Sequence, residues 1–206
     1  MTQATTQSRP SRRGDPVWEI AELFPEQGFW SEEEYLALNT NRLVEFDNGT
    51  IEVLPVPTRT HQMIVLFFCK LLEAFMTRQG RGGVVLPSAY PLRVPSARYR
   101  EPDVIFMTAE QNARASEAFT SAAELVVEVV SPSDPNRDYV TKRQDYAEAG
   151  VAEYWIVDAA EQTVLVLRLE NGQYAEHGRF GPGQTATSAK LAGFAVAVDQ
   201  ILSLGQ

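Results

Sequence analysis

The chain is poor in several residues whose abundance would announce a function. Of 206 residues one is cysteine, Cys69, so a disulfide framework and a cysteine zinc site are both excluded, and a reducing compartment is expected. No apolar run approaches the roughly 18 residues that span a bilayer, and residues 1–16 lack the apolar core of a signal peptide. A soluble, cytoplasmic protein with no membrane partner is the expectation. Positive charge is scarce as well: 18 Lys and Arg face 27 Asp and Glu, for a net charge of −9. That balance argues against holding a polyanion over a broadly basic surface. Only two histidines, His61 and His177, and three lysines, Lys70, Lys142 and Lys190, are available for chemistry.

What is present fits one ordinary globular domain, with 44% hydrophobic residues and no internal repeat. The opening segment MTQATTQSRPSRRG holds Arg9, Arg12 and Arg13 and no acid, which leaves −12 for the rest of the chain. Polar and without periodicity, residues 1–16 are expected to be a disordered tail, with a basic arm for nucleic acid as the alternative, and residues 17–206 a single domain.

Ser31 followed by Glu34 makes a capping box for a short helix reaching about Asn39. LVEF and TIEVL flank Asp47-Asn48-Gly49, the signature of a tight hairpin. From Thr60 to Gln79, Ile64, Phe67, Phe68, Leu71, Leu72 and Phe75 recur at helical spacing, and Gly80 ends the helix. VVLPSAYPLRV and YREPDVIFM read as two strands, and ELVVEVV as a buried central strand. Asp134-Pro135 opens a helix running to Ala149. VAEYWIVD and TVLVLRL read as a strand pair, with a short strand near Phe194 to Val198. Strands interleaved with two long helices indicate an α/β or α+β sandwich around a mixed sheet.

One carboxylate is out of place. Glu128 lies among Val126, Val127, Val129 and Val130, where an isolated ionised group is too costly to bury, so it must be protonated, paired or bound to a cation. Asp103, 25 residues earlier in EPDVIFM, converges on Glu128 if the two strands pair. Two converging carboxylates repel unless a cation such as Mg²⁺ joins them. Glu45 in the hairpin points away from Val44 and Phe46, and His61 lies at the N-terminal end of the long helix's inward stripe. His177 falls in a turn-like region without such company. Structural roles stand beside these readings: a cross-strand surface partner for Glu45, a backbone-satisfied helix end for His61, a turn residue for Asp103.

The elements VEFDNGTIEVLP, His61, EPDVIFM, ELVVEVVSPSD, Asp138 with Lys142, Tyr146 and GVAEYWIVD together resemble the Uma-type endonuclease family of the PD-(D/E)XK restriction-endonuclease-like superfamily, over roughly residues 29–202. The resemblance implies an α/β restriction-endonuclease-like core and a phosphodiesterase site dependent on Mg²⁺ or Mn²⁺. It also implies DNA as partner and a homodimer. It makes Asp103 and Glu128 metal ligands, with the carbonyl of Val129, and Glu45 and His61 supporting acid and base positions. The superfamily's lysine falls two residues after the strand glutamate, where this chain has Val130. Lys142, on the next helix, is the lysine placed to return to the site, unless it serves only as an i, i+4 partner of Asp138. Arg98, Arg100 and Tyr146 are the candidate substrate contacts, with Arg93, Arg137 and Arg143 extending a local basic rim; core packing for Tyr146 and a solvated surface for the arginines are the alternatives. The expectation is a metal-dependent DNA endonuclease; a non-catalytic interaction module and a hydrolase of small phosphate esters are the alternatives.

Overall fold

A computed structural model describes residues 24–40 and 42–205; the expectation for residues 1–16 lies outside them. Twelve strands are described: β1 (Val44–Asp47), β2 (Thr50–Val53), β3 (Gly83–Pro87), β4 (Leu92–Val94), β5 (Arg98–Arg100), β6 (Val104–Thr108), β7 (Leu125–Val129), β8 (Glu153–Asp158), β9 (Thr163–Glu170), β10 (Gln173–Phe180), β11 (Thr185–Thr187) and β12 (Ala195–Ala197). The helices are α1 (Glu32–Leu36), α2 (Arg59–Arg78), α3 (Ala109–Asn112), α4 (Lys142–Glu148, entered through a π-helical turn at Arg137–Thr141) and α5 (Val198–Leu202).

The main sheet runs β10-β9-β8-β7-β6-β3. It is mixed, because β7 and β8 pair in parallel while the other neighbours are antiparallel. A parallel pair needs a crossover, and the segment carrying α4 supplies it. Strand alternation sends one set of side chains to each face. Val104, Phe106, Val127 and Trp155 meet Ile64, Phe68, Leu72 and Phe75 of α2. Ile105, Val126 and Ile156 pack on the other face with Tyr146 and Tyr154. Every residue of β7 is buried, which explains its unbroken apolar run.

A second sheet, β2-β1-β5-β4, stands beside the first over Trp30, Tyr35, Phe46 and Tyr99. Its first hairpin turns at Asn48 (φ 43°) and Gly49 (φ 89°), and the capping box expected at Ser31 and Glu34 is present on a helix that ends earlier, at Leu36.

The two long strands expected between residues 84 and 107 are four. Pro102 lacks the N–H that would continue the ladder, so YREPDVIFM divides into β5 and β6, which belong to different sheets. VVLPSAYPLRV divides into β3 and β4 around Ala89, whose φ is 93°. His177 lies on β10 at a bulge between Glu176 and Gly178, not in a turn, with Nε2 3.1 Å from the Thr187 hydroxyl. Strands β10 and β11 carry no strong alternation and are additions to the sequence reading.

Candidate active site

The centre of the site follows from strand register. β6 and β7 are antiparallel with Val104 opposite Val127, so the next pair outward is Asp103 and Glu128. Both are buried. Asp103 Oδ2 accepts the Val129 N–H at 2.8 Å and lies 3.0 Å from His61 Nε2, while Oδ1 accepts the Ser88 hydroxyl at 3.2 Å. The aspartate thus ties the start of β6 to β7 and to the first turn of α2, where the Thr58 side chain caps His61 N–H.

Glu128 receives the Lys142 ammonium at 2.8 Å and the Tyr146 hydroxyl, both at Oε1. That convergence leaves Oε2 as the oxygen available to a cation. Lys142 is itself buried, and Glu45 Oε1 at 3.5 Å and Asp138 Oδ1 at 3.7 Å flank it. The i, i+4 pairing with Asp138 therefore exists, but as the longest of three contacts. Glu45, fully buried on β1, also holds Arg137, Arg100 at 3.5 Å, and the Glu101 N–H at 3.1 Å.

These charges set one another. Burial pushes Glu128 well above the usual carboxylate range, Asp103 and Asp138 add to the push, and Lys142 only partly offsets them. Burial also opposes the charge on Lys142, but the surrounding carboxylates outweigh it and keep the ammonium charged. With three carboxylates around it, Lys142 carries the charge of the cluster. Burial raises Asp138 to about 6, with Lys142 opposing and Asp103 and Glu45 adding to the rise. For Asp103 burial is overcome by the hydrogen bond and charge of His61, by Lys142 and by the Val129 N–H, and its carboxyl is held below its ordinary value. Burial likewise opposes ionisation of Glu45, and Lys142, Arg137 and Arg100 reverse it.

A cleft of about 200 Å³ opens here, and His61, Asp103, Glu128, Val129, Asp138 and Lys142 are part of its lining. Its oxygens suit a hard divalent ion. Among the described residues no group of three or more His, Cys, Asp or Glu side chains is gathered tightly enough to hold a metal unaided. Asp103 and Glu128 with the Val129 carbonyl fit an ion that keeps waters and open positions, as Mg²⁺ does.

Over residues 32–199 the sequence matches the profile of a family described as "Uma2: Putative restriction endonuclease". The chain belongs to the Uma2 family. A crystal structure of a "putative nuclease belonging to DUF820" from Anabaena variabilis has a TM-score of 0.70 at 18% identity, covering 85% of this chain and 98% of that one. The type IIG restriction endonuclease BpuSI is matched at a TM-score of 0.39 and 13% identity over 73% of this chain and 17% of that one, a likeness too slight to build on. No curated protein matches. The Uma2 chain thus has a restriction-endonuclease-like fold, a mixed sheet flanked by helices.

Within this Uma2 site the structure gathers Asp103, Glu128, Val129, His61 and Lys142 on one cleft. Glu45 lies behind Lys142, enclosed by cations, where it anchors the lysine and does not meet water in the cleft. The expected substrate contacts are turned inward. Arg100 is buried against Asp145 and Asp47 at 2.6 and 2.7 Å, Arg98 pairs with Asp145 and Glu148, and the wholly buried Tyr146 serves Glu128. Asp138 and Asp145 were not among the expected site residues. Asp138 carried a signal, one helical turn before Lys142; the role of Asp145 depends on β5, which no local pattern places beside α4.

Proposed function

We propose that this protein is a divalent-metal-dependent endonuclease that hydrolyses phosphodiester bonds in DNA. The observation that carries the reading is the pairing of Asp103 with Glu128 at the cleft end of β6 and β7, with the Lys142 ammonium 2.8 Å from Glu128. A Mg²⁺ or Mn²⁺ ion held by Asp103, Glu128 and the Val129 carbonyl supplies a more acidic bound water and neutralises charge on the scissile phosphate. The remaining work falls to side chains. Lys142 comes from the crossover helix to the place that Val130, two residues after Glu128, cannot serve; its charge offsets the negative charge that develops on the phosphoryl oxygens. Glu45 and Asp138 hold the ammonium at the cleft wall. His61 donates through Nε2 to Asp103 and keeps that carboxylate ionised and oriented. Its Nδ1 is buried with no partner among the described residues, so the ring acts on the cleft through Asp103.

A second reading, hydrolysis of a small phosphate ester, is favoured by Arg98 and Arg100, whose charges are paired inside the protein and not offered to a polyanion. Incubation with supercoiled plasmid DNA and, separately, with a chromogenic phosphodiester tests both. Mg²⁺-dependent nicking, lost by about 10²-fold or more in Asp103→Asn, is expected. Turnover of the small diester alone selects the second reading, and turnover of neither selects a non-catalytic module.

A further inference from the structure

The reading above leaves the substrate phosphate with Lys142 as its one cationic side chain. Arg137 lines the cleft at the first residue of the π turn. Its guanidinium nitrogens are in three different conditions. Nη2 is anchored on the wholly buried Glu45. Nη1 is 2.5 Å from Oε1 of Glu52, a β2 residue whose side chain is 58% exposed. Nε is buried and has no acceptor among the described residues. An exposed ion pair contributes little, so the Glu52 contact is easily exchanged for another anion at Nη1. Arg137 also lies between two openings: the cleft holding Asp103 and Glu128, and a second recess bounded by Glu45, Asp47 and Arg100. Glu52 and Lys142 line both.

We propose that Arg137 binds the phosphate of the substrate, and that Glu52 stands in for that phosphate in the free protein. The inference deepens the phosphodiesterase reading and rests on it for the identity of the ligand. A phosphate entering the cleft displaces the exposed Glu52 carboxylate from Nη1, while Glu45 on Nη2 keeps the guanidinium in place. The π turn makes this geometry available: the Lys142 N–H reaches back to the Arg137 carbonyl, so arginine and lysine sit one wide turn apart on the same wall. Asp134 and Asp138 also line the cleft, which makes a dedicated cation the more necessary for an anionic ligand.

The test is a double-mutant cycle read as binding. A deoxynucleoside 5′-monophosphate, which has no diester to cleave, is titrated by calorimetry with Mg²⁺ present into wild type, Glu52→Gln, Arg137→Gln and the double variant. Glu52→Gln is expected to bind two- to fivefold tighter, as loss of a competing exposed ion pair allows. Arg137→Gln is expected to bind about tenfold weaker, and Glu52→Gln to have no effect in that background. If Arg137→Gln fails to fold, Arg137→Lys takes its place in the cycle: it retains the charge beside Glu45 but offers a single nitrogen, and is expected to bind several-fold weaker than wild type, with the gain from Glu52→Gln lost in its background. An equal gain from Glu52→Gln with and without Arg137 would show only removal of general repulsion and overturn the proposal, as would absence of binding in all the proteins. Plasmid nicking by wild type is scored separately. Nicking with an additive cycle removes the clamp and leaves the nuclease; a coupled cycle without nicking leaves the clamp and removes the nuclease.

Discussion

Glu128 is buried among valines because Lys142 and Tyr146 meet it from the crossover helix. Two predictions belong to single residues. Lys142→Met removes the one ammonium that lines the cleft among the described residues, and DNA cleavage is expected to fall on the order of 10²- to 10³-fold. Lys142→Arg should not restore it, since a planar guanidinium does not fit a space shaped by three carboxylates at 2.8, 3.5 and 3.7 Å. Initial cleavage rates of the two variants check this. Glu101, hydrogen-bonded to the Val44 N–H, is raised by burial and by Glu45 from 4.5 to about 7. A carboxyl whose folded pKa is raised contributes stability that is fully present below pH 4.5 and is lost as the pH rises through about 7. Glu101→Gln should therefore flatten the decline of the melting temperature across that window by roughly 3 kcal/mol of stability; an unchanged slope would remove Glu101 from the account. The facing of Asp103 and Glu128 is legible from strand alternation alone, because both lie on neighbouring apolar strands of plain pattern. The burial of Tyr146 follows from its place on the inward face of the helix, but that of Arg100 is not legible, because what encloses it comes from β1 and α4, elements remote in sequence.

At the scale of elements, α2 and β7 carry the site's geometry. The apolar spacing of α2 is plain in the sequence and puts His61 at the cleft while Phe68 packs edge-on against Trp155 at 5.8 Å. Phe68→Ala empties a fully buried position and should destabilise the fold by about 3–5 kcal/mol, read from denaturant midpoints. The hairpin that carries Glu45 and Glu52 depends on Gly49, where φ is 89° and an added Cβ falls 2.6 Å from the Gly28 carbonyl oxygen. Gly49→Ala is expected to lower stability by about 1–3 kcal/mol and, by shifting Glu52, to loosen its hold on Arg137; thermal melts check the first effect. The π turn before α4 has no sequence signature, since Asp134-Pro135 announces a helix start and nothing in RDYVT distinguishes a wide turn from an ordinary one. It also sets which of Arg137, Asp138 and Lys142 share the cleft wall, so that part of the site had to wait for the structure.

For the whole molecule, a net charge of −9 and ion-paired Arg98 and Arg100 mean that long-range attraction for DNA is weak. On the proposed reading, affinity comes from the cleft and from a cation bound there with the substrate. A metal that binds only the folded state stabilises it. The decisive measurement is calorimetric titration of Mn²⁺ into the wild type and the Asp103→Asn, Glu128→Gln double variant, both shown to be folded. Saturable binding confined to the wild type, with a matching rise in its melting temperature, is the predicted result. No saturable heat in the wild type, or the same heat in the double variant, would contradict the metal site and the function built on it.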